Sequence, residues 1–361
     1  MSSYDTAVIG AGSFGAWTAW HLQRAGQRVL LVDAWGPAHS RASSGGESRI
    51  IRMGYGADEI YTRMAQRSLE LWKQAAPAEF LRTGVLWLAR ENHPYSTGTV
   101  TTLSAAGVPH EILTVAEIAH RYPQMRFGEP EVFGIYEPES GALLARRAVA
   151  RVCEGIPYVT MNSAWPCEIR AANYVYACGP WLPKVFPEIL GGRITPTRQE
   201  VFFFAPPAGD RSYSPESLPV WIDFIDPRGA YGFPDLESRG FKLALDRHGP
   251  ACDPDTLDRG TTAEGLAEAY RFLEERFPAL RGAPLTESRV CQYENTSSGD
   301  FLIDRHPDHP NVWLVGGGSG HGFKHGPAVW EYVCGRILRQ VPEAPRFSLS
   351  TKLLTENRRV Y

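Results

Sequence analysis

Apolar positions along the chain change period several times, and each change marks an element. Thr6 to Ile9 is a short, nearly unbroken apolar run, as in a strand covered on both faces. Ala16 to Arg24 continues at helical spacing, Gly26 closes it, and Val29 to Asp33 is a second buried run. Strand, helix and strand in that order predict a βαβ unit. Tyr61 to Gln74 reads as an amphipathic helix and Gly84 to Ala89 as the strand after it. Thr114 and Glu117 have the spacing of a capping box and predict a helix start. Leu143 to Cys153 predicts a helix, and Asn173 to Trp181 a strand entering a turn. From Gln199 to Leu245 the period falls to two, as in antiparallel strands: Val201 to Phe204, Val220 to Ile222 and Phe241 to Leu245. Glu264 to Phe277 predicts a helix, Ser288 to Tyr293 a strand, and Pro327 to Gln340 a closing helix behind a glycine-rich turn.

Parallel βαβ pieces at both ends therefore flank β-rich inserts, an α/β chain with an interleaved second domain. A length of 361 residues agrees, because it exceeds the usual size of one core. A net charge of -3 gives no electrostatic reason to expect nucleic acid or an anionic membrane as partner. No apolar run approaches the roughly 20 residues that span a bilayer. Cys153, Cys167, Cys178, Cys252, Cys291 and Cys334 are dispersed, and the start of the chain has no basic, apolar leader pattern. They read as reduced thiols of a cytoplasmic protein. The histidines are equally scattered, so no metal site is expected.

The chemistry begins at Gly10, Gly12 and Gly15, between the first strand and the first helix. One glycine permits a tight bend, one lets a pyrophosphate approach the backbone, and one lets helix and strand pack closely. Asp33, ending the second strand, stands where ribose hydroxyls are bound and would repel a 2′-phosphate. Ser43 to Ser48 is a small polar loop suited to phosphate. Near the other end, Trp313 to Lys324 repeats strand, glycine turn and helix, with Gly318, Gly320, His321 and Gly322 in the turn. A chain that returns so late to its own dinucleotide site points to a bound flavin rather than a diffusing nicotinamide.

Arg49 and Arg52 are spaced for one face of a helical turn, with two isoleucines between them. A flavin carbonyl edge, a pyrophosphate or a substrate carboxylate would each suit them. Lys242 sits in an apolar strand, where it either faces solvent or is a buried charge in need of a reason. Cys291 reads as an inert buried thiol, and His321 as a base, a flavin contact or a loop donor. Phe202, Phe203, Phe204, Trp221 and Phe224 read as core.

Five segments together resemble the monomeric sarcosine oxidase and N-methyltryptophan oxidase family of D-amino-acid-oxidase-type flavoproteins, over nearly the whole chain. They are Gly10 to Gly15; Ser48 to Arg52 with Tyr55; Cys291 to Tyr293 with Phe301 to Pro307; Gly320 to Lys324; and Tyr231 to Pro234 followed by Lys242. The resemblance implies a Rossmann-like FAD-binding domain interleaved with an antiparallel-sheet substrate domain. The first takes residues 1–85, 140–195 and 290–361, and the second 86–139 and 196–289. It implies FAD held by Gly10, Gly12, Ser13, Phe14, Gly15, Asp33, Ser43, Ser48, Arg49, Gly179, Trp181, Cys291, Gly318, Gly320, His321, Gly322, Phe323 and Lys324, with Cys291 bonded to the flavin 8α-methyl. Arg52 and Lys324 match the pair that grips a substrate carboxylate, and Tyr231 and Tyr293 match active-site tyrosines. Arg49 and Lys242 match basic groups on either side of the ring, Lys242 near N5 where oxygen is activated. His321 matches a histidine beside the flavin.

The implied reaction oxidises an N-methyl or cyclic secondary amino acid to an imine, with dioxygen reduced to hydrogen peroxide by a monomeric enzyme. A primary amino acid oxidase, a dehydrogenase with another acceptor, and a flavin-bound sensor without turnover are the alternatives. Such a site needs orientation rather than a strong base, which two cations on the carboxylate supply, while Arg49 and the N–H groups at a Gly320–Gly322 helix start would stabilise the negative charge of the reduced ring. Two departures stand out. Asp246 replaces a histidine usual at the substrate site, and the stretch from Ala145 to Gly179 is short, leaving Gly155 to Ala172 to cover the adenine side.

Overall fold

The computed structural model describes residues 4–128, 131–161 and 168–356. Cys167 and the 162–167 part of the short adenine-side stretch lie outside the described residues. Among the described residues, a six-stranded sheet runs in the order Leu302–Arg305, Val312–Gly316, Ala171–Tyr176, Tyr4–Ile9, Val29–Asp33 and Tyr158–Thr160. All neighbours are parallel except the first pair. Val8 pairs in register with Val175 on one side and Leu31 on the other, which is why these strands are apolar on both faces. Helix Ser13–Arg24 and helix Gly326–Ile337 lie together against this sheet, with the Phe14 and Trp330 rings 4.3 Å apart. Gly10 has φ 105°, and a Cβ there would stand 2.3 Å from the Ala177 carbonyl oxygen. The tight bend after the first strand therefore admits only glycine.

An eight-stranded sheet runs Leu285–Thr296, Ile194–Phe204, Phe241–Leu245, Ala230–Phe233, Val220–Asp223, Val85–Arg90, Val132–Glu137 and Glu111–Thr114. It is antiparallel except where Val220–Asp223 meets Val85–Arg90. One face packs Phe202, Phe204, Trp221 and Phe241 against Phe272 of helix Ala263–Arg276, the core role expected of the first three, while Phe203 lies on the other face and Phe224 is only partly buried against a separate core. Strand alternation turns Val201, Phe203, Lys242 and Ala244 to the opposite face, beside Tyr231. A small sheet of Arg49–Ile51, Gly141–Leu143 and Phe80–Leu81 is the third.

Two expectations are corrected here. Arg49 and Arg52 do not share a face of a helical turn, because Arg49–Ile51 is a strand hydrogen-bonded to Gly141–Leu143. The paired β-branched isoleucines favour extended backbone, and an odd spacing then sends the arginines to opposite sides. Gly320–Gly322 is also not a helix start, because the closing helix begins at Gly326, within one residue of the expected Pro327. The N–H groups of Gly318, Ser319, His321 and Gly322 are already bonded within the protein, to Glu294 and Gly318. Thr114 does cap helix Val115–Arg121 with Glu117 as reciprocal partner.

Candidate functional site

A cleft of about 400 Å³ runs along the carboxyl ends of the parallel strands, where ligands of open α/β sheets bind. Gly10, Gly12, Ser13, Phe14, Asp33, Ser43, Arg49, Gly179, Trp181, Cys291, Tyr293, Gly318, Gly320, Gly322 and Phe323 line it. Of the other expected cofactor residues, Gly15 packs under the turn, where a Cβ would stand 1.7 Å from the Gly10 carbonyl oxygen. Ser48, His321 and Lys324 stand outside the lining. Ser48 accepts hydrogen bonds from Lys242, and His321 stacks on Phe301 with its ring nitrogens on Tyr55 and the Gly299 carbonyl.

The wall fits a dinucleotide on two counts. A Cβ on Gly12 would meet only Ser44 Oγ, at an ordinary 3.5 Å, so the space above that glycine is left open. Ser13 Oγ, Ser43 Oγ, Gln292 Oε1 and Glu294 Oε2 are buried in the cleft wall without hydrogen-bond partners. Buried polar atoms without partners are costly, and a ligand carrying phosphates and hydroxyls satisfies them. Asp33 accepts the N–H of Ala11 at 2.7 Å and those of Trp35 and Gly36 at 2.8 Å, so it ties the glycine turn to its own strand end. It also lines the cleft.

Four buried or half-buried cations form two arginine–lysine couples, of which Arg49 lines the cleft while Arg52, Lys242 and Lys324 stand outside its lining. Arg49 donates to the Ser43 and Ser48 carbonyls, and its guanidinium lies 3.4 Å from Cys291 Sγ. Behind it, Lys242 is 3% exposed, donates to Ser48 O and Oγ at 3.1 and 3.0 Å, and lies 4.3 Å from the centre of the Phe233 ring. Burial, and then the Arg49 charge, hold its ammonium well below the ordinary lysine range.

Arg52 and Lys324 form the second couple, across Tyr55. The Arg52 guanidinium lies 4.4 Å from the Tyr55 ring centre and 4.3 Å from that of Trp87, and donates to the Gly54 carbonyl. Lys324 Nζ donates to Tyr55 Oη at 2.8 Å and to the His321 carbonyl at 2.9 Å. Arg52 is 6% exposed and Lys324 5%. Burial, with the Arg52 charge next, pulls Lys324 well below its usual range, and His325, 2.7 Å from Tyr55 Oη, is also pushed down by burial. Two cations desolvated side by side favour an anion between them. Tyr231 and Tyr293 are hydrogen-bonded to each other, and Tyr293 donates to Asp246 at 3.0 Å. Asp246 itself is exposed, yet close enough to act electrostatically on Lys324.

Sequence reasoning missed the groups that set this pocket up. Glu137 is wholly buried and accepts Met53 N–H at 2.7 Å, Gly54 N–H at 3.0 Å, Trp87 Nε1–H at 2.9 Å and Ser140 O–H at 2.6 Å. It thereby fixes the backbone that carries Arg52. Tyr95, His325 and Glu294 were missed too. The available signal was a charged residue ending an apolar strand at Glu137, and one inside the strand at Glu294. Among the described residues, no group of His, Cys, Asp and Glu is arranged for a metal, and no helix is long and apolar enough to cross a membrane.

The FAD dependent oxidoreductase (DAO) family matches residues 5–336. Over 359 residues the chain is 31% identical to monomeric sarcosine oxidase of Streptomyces avermitilis, covering 92% of each. It is 33% identical over 359 residues to monomeric sarcosine oxidase of a Bacillus species, covering 91% of this chain and 90% of that one. In fold it matches L-proline dehydrogenase from P. horikoshii with a TM-score of 0.80 at 22% identity, over 96% of this chain and 97% of that one. With its glycine turn, its cleft and this match over nearly its whole length, the chain belongs to the FAD dependent oxidoreductase family.

Proposed function

We propose that this protein oxidises the C–N bond of an N-methyl or cyclic secondary amino acid to an imine, with dioxygen reduced to hydrogen peroxide. The observation that carries the reading is the convergence of Arg52 and Lys324 on Tyr55, beside a cleft suited to a flavin dinucleotide. The names of the two sarcosine oxidases, acting on an N-methyl amino acid, support it and also suggest a monomer. Bound FAD supplies the two-electron acceptor for the substrate and the donor for oxygen.

The chain's own residues do the positioning. Arg52 and Lys324 hold the substrate carboxylate, each charged hydrogen bond contributing about 1.5–3 kcal/mol. Tyr231 and Tyr293 close the opposite wall, and Tyr55 keeps Lys324 pointed inward. Arg49 and Lys242 set a positive potential near the ring, Arg49 at the cleft wall and Lys242 one layer behind. The Cys291 thiol beside Arg49 is the attachment point for a covalent flavin, which the short adenine-side stretch makes more valuable.

An anaerobic screen tests the substrate class. Secondary amino acids should bleach the flavin absorbance, and admission of air should restore it with one peroxide per turnover. Bleaching by primary amino acids alone, or recovery without peroxide, refutes the reading. Acid-precipitated protein should keep its colour, whereas a yellow supernatant refutes the covalent link.

A further inference from the structure

One carboxyl group in the cleft has no part in the chemistry above. Glu294 lies three residues beyond Cys291 on strand Leu285–Thr296 and is 7% exposed. Its Oε1 accepts the Gly318 N–H at 3.1 Å, while its Oε2 is buried and has no hydrogen-bond partner. The floor beneath is glycine: a Cβ on Gly316 would stand 3.3 Å from Oε2, and one on Gly179 3.9 Å. Neighbouring backbone N–H groups offset the burial only in part, and burial pushes the carboxyl up to about 7. A group this costly to bury, with one oxygen satisfied and the other without a partner in a residue that lines the cleft, is a half-built hydrogen-bond site.

Position identifies what completes it. Strand Val312–Gly316, whose end carries the Glu294 contact, is separated by one strand from Tyr4–Ile9 and its glycine turn. Two strand spacings put Glu294 roughly 10 Å from the pyrophosphate cradle. Three residues of extended chain put it about 10 Å from Cys291 on the other side. Between pyrophosphate and isoalloxazine a flavin dinucleotide carries its ribityl chain, whose hydroxyls are hydrogen-bond donors. An ionised carboxylate repels a phosphate, but both the ionised and the neutral carboxyl accept from a hydroxyl.

We infer that Glu294 Oε2 is the hydrogen-bond acceptor for the ribityl hydroxyls of the bound cofactor, making Glu294 a cofactor-binding residue that fixes the polyol between phosphate and ring. The inference rests on the cleft being the FAD site. Its test uses the full chain carrying Cys291→Ser, so that binding is reversible. The apoprotein is titrated with FAD and with an FAD analogue whose ribityl chain is a plain alkyl chain, and flavin fluorescence is followed. Glu294→Leu should weaken FAD by at least about tenfold, the scale of one lost hydrogen bond. Glu294→Gln, which keeps a carbonyl acceptor, should lose less. With the analogue, all three proteins should bind alike. Equal FAD affinity in parent and Glu294→Leu overturns the inference, and so does a loss as large for the analogue as for FAD. Should Glu294→Leu fail to fold, the parent alone still decides: no preference for FAD over the analogue overturns it. A parent that takes up no flavin at all instead refutes the cofactor site, and is told apart by that control.

Discussion

The two arginine–lysine couples invite comparison, because they are alike in charge and opposite in setting. Arg49 and Arg52 leave one short strand on opposite sides, and each meets a lysine brought from far along the chain. Around Arg49 and Lys242 the acceptors are the Ser43 and Ser48 carbonyls and the Ser48 hydroxyl. Around Arg52 and Lys324 the Gly54 and His321 carbonyls are joined by aromatics, with Tyr55, Trp87 and Tyr95 packed about the charges and Tyr55 Oη accepting from the lysine. A carbonyl cage satisfies a cation permanently, so that couple acts on its surroundings through its field. An aromatic face instead holds a cation by its quadrupole, with weaker direction than a carbonyl oxygen. On the proposed reading, identical charges serve as a fixed potential on one side and as a binding site on the other.

Substitutions can break this distinction. The largest effect is expected for Lys242→Met, which removes charge from the caged couple. Reoxidation by oxygen should slow by about 10²–10³-fold, as when one preorganised electrostatic stabiliser is lost. Anaerobic reduction by substrate, followed by stopped flow, should change far less, and equal slowing of both half-reactions would erase the division of labour. Next comes Arg52→Ala in the aromatic box. It should weaken substrate by about 10- to 100-fold, from about 1.5–3 kcal/mol of charged hydrogen bonding. The loss should appear in the binding constant from flavin bleaching, with oxygen reactivity of the reduced enzyme unchanged.

The smallest effect concerns stability. Both lysines have folded-state values depressed by burial, so the unfolded chain binds protons more readily than the folded one above the folded pKa. Stability is lowest with both lysines charged in the fold, and it rises with pH from the folded pKa up to the ordinary lysine value near 10.5. Thermal melts of apoprotein between pH 7 and 10 should therefore rise more steeply for the parent than for Lys242→Met or Lys324→Met. A slope unchanged in both variants would mean that the ammonium groups are less desolvated than their surroundings require.

How much of this was legible beforehand depended on range. The glycine turn, its strand and its helix are contiguous, so Gly10, Gly12 and Gly15 declare their roles locally. The alternation around Phe241 to Leu245 offered two faces for Lys242, and only the partner strands decided that it points away from the helix-covered core and is buried. The arginine spacing misled because period three reads as helix until Gly141–Leu143 is known to pair with Arg49–Ile51. Glu137 and Glu294 showed only as charges in apolar strands, and their roles were hidden for a plainer reason. Glu137 binds backbone from Met53 and Gly54, and Glu294 from Gly318, across dozens of residues, and no local pattern encodes such a contact.

Glu137 has one more effect. With four donors converging on its two oxygens, the peptide units that carry Arg52 are anchored and cannot swing to suit differently shaped guests. Adaptation to a new amino acid must then come from the solvent-facing rim, where Asp246 and its neighbours can change without disturbing the anchor. Divergence within such a scaffold would accumulate at the entrance, while the deep wall stays as it was.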